Sequence, residues 1–380
     1  TLFPYTTLFR SIMKKSLALV IFTVLSLSLA GNVSAQVGIT SVPFLQIEPD
    51  SRAAGMGNTG VAIADNASAV FWNPAGLAFQ RGTQISITHS EWLPKFNADL
   101  FYDYLVGKHH VKDIGTFGAH ITYLNLGEQI RTNETGIEQG RFNSYEFAGG
   151  LSYGLQLNDN WSLGTGVRFI YSSLADGQVG QQKINPGSSI GVDIATMFKS
   201  DRFLFLSQEA NINAGLNLSN IGPGVHYTDN AQKDPLPTIL RFGWSFTTEL
   251  DKEGINTLTI ANDISKVMAR SDSTGSDGPL EALVSSWSSY EREVGDGRTA
   301  TLNPLQQFMV ASGIEYWYNN MFAIRGGYYF EDPNNGDRQF FTVGAGIRYD
   351  FIGVDFSYIA TLTNDHPLAN TTRFGLLLNF

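Results

Sequence analysis

His109 and His110 stand side by side between Lys108 and Lys112, in a chain without cysteine. A metal centre there needs further ligands at suitable spacing, and without Cys only carboxylates remain to supply them. The histidines read instead as part of a solvated turn. Gly55-Met56-Gly57-Asn58-Thr59-Gly60 matches GxGxxG letter for letter. A dinucleotide-phosphate loop also requires a buried strand before it and a helix after it within a βαβ unit, and neither is present. These glycines suit tight turns in a crowded space. Asp272 and Asp277 lie in a Ser/Gly stretch without calcium-loop spacing, and no GxSxG offers a nucleophile elbow. The sequence predicts neither an enzyme nor a cofactor site.

Other charged groups sit where they need partners rather than substrates. Glu146, Arg168, Asp193, Arg241, Arg325, Arg348 and Asp355 fall on the small-or-polar side of alternating segments. In one such segment Trp161, Leu163, Thr165, Val167, Phe169 and Tyr171 share a face opposed by Ser162, Gly164, Gly166 and Arg168. Phe341, Val343, Ala345, Ile347 and Tyr349 oppose Thr342, Gly344, Gly346 and Arg348, and Ile352, Val354, Phe356 and Tyr358 oppose Gly353, Asp355 and Ser357. Strand side chains alternate with period two. An apolar face ending in aromatics, backed by a polar one, is the pattern of a membrane barrel with a polar lumen. A soluble sandwich would also alternate, but with more Lys and Glu and far less Gly on its polar face. Charges held inside such a lumen must pair or hydrogen-bond. They are expected to anchor whatever fills it; a selective transport path is the alternative.

The alternating segments number about fourteen: 82–90, 97–106, 114–126, 143–156, 161–174, 187–199, 209–219, 237–250, 255–264, 304–318, 321–331, 338–350, 352–362 and 370–380. Tight turns such as Asn158-Asp159-Asn160 and Asn319-Asn320 alternate with longer gaps at 127–142, 175–186, 220–236 and 265–303. Short periplasmic turns and long external loops build an outer-membrane barrel. The longest gap is Ser/Gly-rich and then becomes amphipathic around Leu280-Glu281-Ala282-Leu283-Val284, with Trp287 and Tyr290 following as candidate partner-binding aromatics. In the last segment Phe374, Leu376, Leu378 and Phe380 share one side, and Phe380 is expected to serve as a barrel-assembly signal.

Export is predicted at the other end. Met13, Lys14 and Lys15 begin a signal peptide over 13–35, with an apolar core at 17–30 and Val33-Ser34-Ala35 before the cleavage point. Residues 1–12 precede that start and read as a non-native leader. The absence of Cys excludes disulfides and a lipidated N-terminal Cys. The 43% hydrophobic fraction contains no mature apolar run near twenty residues, which excludes helical spanning but not a barrel. A net charge of −10 argues against nucleic-acid binding.

Residues 36–81 do not alternate. Asp50-Ser51-Arg52-Ala53-Ala54-Gly55 predicts a short capped helix, and 65–72 a second, with Asp65 as its cap. Asn73-Pro74-Ala75-Gly76 ends the second, because Pro disfavours helical geometry in the residue before it. Such an insert ahead of a barrel at 82–380 is expected to be a hatch. The fold predicted is therefore all-β: a transmembrane antiparallel β-barrel of about 14 strands with a small N-terminal helical hatch in its lumen.

Three stretches carry a resemblance. The run 42–57, from Val42-Pro43-Phe44 to Gly55-Met56-Gly57, is similar to the PorV/PorQ family of outer-membrane barrels, relatives of the FadL long-chain fatty acid transporters. So are Phe71-Trp72-Asn73-Pro74-Ala75-Gly76-Leu77 and the ending from His366-Pro367 to Gly375-Leu376. The resemblance implies a fourteen-stranded barrel in the outer membrane of a Bacteroidota-like bacterium and a role in type IX secretion. Its implied partners are translocon and sortase-complex proteins, cargo with C-terminal sorting domains, and outer-membrane lipid. A FadL-like channel for hydrophobic small molecules is the competing expectation.

Overall fold

The computed structural model describes residues 40–96, 99–133, 135–179, 182–228, 233–272, 275–293, 299–362 and 366–380. The leader expected at 1–12, the export signal at 13–35 and hatch residues 36–39 lie outside them. Fourteen strands form an antiparallel barrel that closes on itself, with a short additional strand at Phe203–Phe205 paired to the start of the seventh. They are β1 (Thr83–Glu91), β2 (Phe101–Val111), β3 (Gly115–Thr132), β4 (Glu138–Gln156), β5 (Trp161–Ser173), β6 (Gly187–Lys199) and β7 (Gln208–Ile221). The second half comprises β8 (Ile239–Glu249), β9 (Asn256–Val267), β10 (Phe308–Tyr318), β11 (Phe322–Glu331), β12 (Gln339–Tyr349), β13 (Ile352–Thr361) and β14 (Thr372–Asn379).

Each strand pairs with the next in sequence, and β14 returns to β1 with Leu376 opposite Ile87. Phe380 extends that seam: its N–H donates to the Thr83 carbonyl at 2.8 Å, and the Thr83 N–H donates back at 3.0 Å. Closure leaves no unpaired edge, the condition for strands to cross hydrocarbon. Among the described residues no helix is long and apolar enough to cross a membrane; here the strands do so.

The wall faces lipid with the residues whose phase predicts it. Trp161, Leu163, Val167 and Phe169 are exposed on β5, while Ser162, Arg168 and Ile170 are buried. Tyr123, Tyr145 and Tyr171 stack around the outer rim at 5.9 and 6.0 Å, forming part of an aromatic belt. Connections are short at one end, as at 112–114, 157–160, 319–321 and 350–351, and long at the other, as at 92–100, 174–186, 222–238 and 268–307. The short end is periplasmic by the construction rule of such barrels.

Two expectations change here. The gap at 127–142 is mostly strand, because β3 and β4 continue to Thr132 and from Glu138 past an irregularity between Asn125 and Glu128. Beyond the tyrosine belt both faces of this hairpin meet solvent, so no apolar face is required and period two vanishes from the sequence while the ladder persists. His109 and His110 belong to the end of β2 rather than to a turn. His109 Nδ1 lies 2.7 Å from the Thr83 hydroxyl and His110 Nδ1 3.0 Å from that of Thr116.

Residues 40–81 run down the inside of the barrel. At the outer end the Ser41 N–H donates to the carbonyl of Pro235 in an external loop; at the periplasmic end the Thr116 hydroxyl donates to the carbonyl of Gln80. Between them lie a 3-10 turn Pro43–Gln46, helix α1 (Ser51–Ala54), helix α2 (Ala69–Trp72) and a second 3-10 turn Pro74–Phe79. Met56, Thr59, Val61, Ala67, Val70, Asn73 and Leu77 are fully buried. The inward glycines of the wall make this fit possible. A Cβ on Gly327 of β11 would lie 2.1 Å from the Gly57 nitrogen, and one on Gly164 of β5 would lie 2.1 Å from that of Ala75. The hatch backbone occupies the space that lumen side chains would otherwise fill.

Candidate functional site: the plugged lumen and the external loop above it

Asp50 caps α1 as its position predicts, accepting from the Arg52 N–H at 3.1 Å. That turn aims Arg52 at the wall. Its Nε and Nη2 donate to Glu315 of β10 at 2.9 and 2.7 Å, and its Nη1 donates to Asp65. The fork-on-carboxylate geometry is the strong form of a charged hydrogen bond. Glu315 also accepts from Arg325 Nε at 2.7 Å; Arg325 Nη1 donates to Asp355 at 2.8 Å, and Arg348 donates to the same carboxylate at 2.7 Å. The Trp317 ring lies under both wall arginines, 5.4 Å from Arg325 and 5.3 Å from Arg348. Burial alone would lower the Arg52 guanidinium, but Asp65 and Glu315 beside it hold it well above its ordinary value. Burial, reinforced by Asp355, pushes the Asp50 carboxyl up.

A second anchor lies on the neighbouring strand. Asp263 of β9 accepts the N–H groups of Gly60 and Val61 at 2.7 and 3.0 Å. Asn73 accepts from the Ala75 N–H at 3.1 Å and donates to the carbonyls of Thr196 at 3.1 Å and Val61 at 3.3 Å. It thus caps the turn that Pro74 begins and ties it to β6. The Ser162 hydroxyl donates to the Ala75 carbonyl at 2.8 Å. Gly76 presses on Ala64, whose carbonyl would lie 2.2 Å from a Cβ there. Arg241 stacks over Phe71 at 5.3 Å and Trp72 at 6.0 Å.

The seven lumen charges predicted from phase all face inward, but they divide in what they hold. Arg241 packs directly on the hatch. Arg325, Asp355 and Arg348 support it through Glu315. Arg168 and Asp193 pair with each other within the wall, and Glu146 accepts from the Ser172 hydroxyl at 2.7 Å. Sequence reasoning passed over Arg52, Asp263 and Glu315, which grip the hatch most directly. Asp263 and Glu315 share the inward phase of Ala261 and Gly313, so strict phase counting would have found them.

Asp65 requires a correction: it does not cap a helix. α2 begins at Ala69 after Ser68, and the preceding turn is closed by Asn66, whose side chain accepts from the Ser68 N–H at 2.9 Å. Asp65 instead meets Arg52, with its side chain 64% exposed. Asp65→Ala should therefore change stability by less than ~0.5 kcal/mol, as for an exposed ion pair. Asn73→Ala should cost about 1 kcal/mol or more through the lost cap. Urea unfolding of the barrel in lipid vesicles, followed by tryptophan fluorescence, would compare the two; equal effects would contradict this assignment.

Above the plug, the external connection 268–307 holds helix α3 (Pro279–Ser285) and a hairpin of Tyr290–Glu293 with Thr299–Leu302. Ala282 and Leu302 are buried, whereas Leu280, Val284 and Leu305 are 72%, 76% and 80% exposed. Leu280 and Val284 are four apart and share one side of the helix. Trp287 donates its indole N–H to the Leu283 carbonyl at 2.9 Å, with its ring 5.7 Å from the Lys266 ammonium. Tyr290 opens the hairpin opposite Leu302. The loop is thus ordered around a small core and turns apolar side chains outward. Among the described residues no group of His, Asp or Glu is arranged to hold a metal ion.

A closed lipid-facing barrel whose own N-terminal segment occupies the lumen defines a Gram-negative outer-membrane protein with a FadL-like fold. The family described as type IX secretion system protein PorV matches residues 31–273, and the chain belongs to that family. Among solved structures it is similar to the TodX deltaS2S3 mutant monoaromatic hydrocarbon channel, at 12% identity over 87% of this chain and 98% of that one, with a TM-score of 0.51. It is also similar to the Ralstonia pickettii toluene transporter TbuX (12% identity, 88% and 100% covered, TM-score 0.48). A Pseudomonas aeruginosa FadL homologue matches at 13% identity, with 91% and 97% covered and a TM-score of 0.40. Likeness at such identities extends to the fold alone. No curated protein matches the chain.

Proposed function

We propose that this protein handles protein cargo in type IX secretion. Its external surface binds cargo bearing a C-terminal sorting domain, receives it from the translocon and passes it to the sortase complex at the cell surface. Membership of the PorV family supports the setting. The observation that carries the reading is the contrast between lumen and surface. The lumen is filled by hatch backbone pressed against wall glycines, while Leu280, Val284 and Leu305 stand exposed on an ordered external loop. Exposed apolar side chains grouped on such a platform mark protein-contact surfaces, and Trp287 and Tyr290 beside them are of the types enriched among binding hot spots.

The second reading is a channel for hydrophobic small molecules, favoured by the fold shared with a hydrocarbon channel. Removing residues 270–298 separates the two. On the cargo reading the barrel still reaches the outer membrane, sorting-domain cargo fails to become surface-attached, and uptake of hydrophobic nutrients is unchanged. Normal attachment with impaired uptake would establish the channel reading instead.

A further inference from the structure

One polar pair faces the wrong way. On the lipid-facing side, near the middle of their strands, Asn262 of β9 and Ser312 of β10 sit opposite each other. The Ser312 hydroxyl donates to Asn262 Oδ1 at 2.7 Å. Among the described residues nothing accepts from the Asn262 Nδ2. Along their own strands the pair's neighbours are bare and aliphatic, Ile260, Ile264, Val310 and Ile314 all being exposed, while Trp244 and Tyr328 flank it across the row.

Near the middle of the wall the other outward hydroxyls are closed on the protein itself. The Thr165 hydroxyl donates to the Asp193 carbonyl at 3.0 Å, and that of Thr196 to the Ser162 carbonyl at 2.9 Å. Nearer the outer rim His89 and Asp103 satisfy each other at 2.6 Å. The Asn262 amide differs in that it keeps two hydrogens, and hydrocarbon offers them no acceptor. Polar side chains left on a membrane-facing surface are characteristic of protein contacts.

We infer that the β9–β10 wall is the contact of a symmetric dimer, in which Asn262 Nδ2 of one copy donates to Ser312 Oγ of a second copy of this chain. The pair is its own complement. A two-fold axis along the membrane normal, passing between β9 and β10, brings each Asn262 opposite the Ser312 of the other copy. Such an isologous contact uses one patch twice. Asn and Ser are short, so two convex walls can approach closest where they stand. Ile260 and Ile264 then meet Val310 and Ile314 around them and exclude lipid. This inference rests on the wall alone and is independent of what the external loop binds.

The natural absence of cysteine makes the test direct. Single-cysteine variants Val310→Cys and Ile314→Cys, oxidised in native outer membranes, should give a disulfide-linked band of two copies on a non-reducing gel. Val167→Cys and Ile194→Cys, on β5 and β6, should give none. Adding Asn262→Leu should remove most of the crosslink while the unboiled sample keeps its fast-migrating folded band. Absence of the dimer band, an equal band from the β5 and β6 positions, a band to a different protein in its place, or persistence after Asn262→Leu would each overturn the inference.

Discussion

Glu315→Ala should cost the folded barrel about 3–5 kcal/mol, the range for breaking a buried ion pair from one side. Glu315 is the only carboxylate in this network that receives both the hatch, through Arg52, and the wall, through Arg325. Both guanidinium groups lie almost entirely away from solvent, so removing the shared carboxylate strands charge on each of them. Arg325 keeps Asp355 and Arg52 keeps Asp65, which is why the loss should stay within that range rather than exceed it. Glu315→Gln retains the shape and one acceptor oxygen and should fall between Ala and wild type. The check is urea unfolding in lipid vesicles, with the midpoint compared at equal slope. A midpoint shift equivalent to less than ~0.5 kcal/mol, no larger than for a surface ion pair, would mean that the hatch is not held by this latch.

The second large effect is on permeability. The wild-type protein in a planar bilayer should be closed, and deletion of residues 40–80 should give stable single-channel steps. Two anchors on the neighbouring strands β9 and β10 keep the hatch in place, at Asp263 and at Glu315, Asn73 ties it to β6 further round the wall, and its backbone meets wall glycines. Deletion could also disturb assembly, so a substitution that leaves the chain intact is the better control. Gly327→Val places a side chain where the Gly57 and Met56 backbone now lies and should unseat the hatch without altering the lipid face. Conductance from either variant, against a silent wild type, would establish the plug. An open wild type, or silence in both variants with a correctly folded barrel, would contradict it.

Much of this fold could be read from the residues because a membrane barrel constrains both sides of every strand. β5, β12 and β13 face lipid with Trp161, Phe341 and Ile352 and turn Arg168, Thr342 and Asp355 inward, as the alternation predicts. The signal failed where that double constraint lapses. The outer part of the β3–β4 hairpin is wet on both faces, so residues 128–132 carry no periodicity although they remain paired. Asp65 misled for a local reason. Asp, Asn and Ser all compete to close turns before a helix, and Asn66 won that competition.

The latch itself was out of reach for a different reason. Arg52 and Glu315 are 263 residues apart, and their meeting depends on where a threaded segment stops inside a closed barrel. Asp263 was within reach by phase, but its partners are the backbone N–H groups of Gly60 and Val61, which leave no side-chain signature. The external loop was legible in its aromatic and apolar content. That Leu280 and Val284 point outward, while Ala282 turns in, emerged only from the packing.

The cargo reading is tested most directly by binding in purified form. An isolated C-terminal sorting domain, titrated against the full-length barrel in lipid nanodiscs, should bind saturably. Leu280→Asp combined with Val284→Asp should abolish or strongly weaken that binding while leaving the folded, heat-modifiable band intact. A hydrophobic aromatic solute should not compete. No binding of the sorting domain to the wild-type barrel, together with saturable passage of the solute through it, would contradict the account.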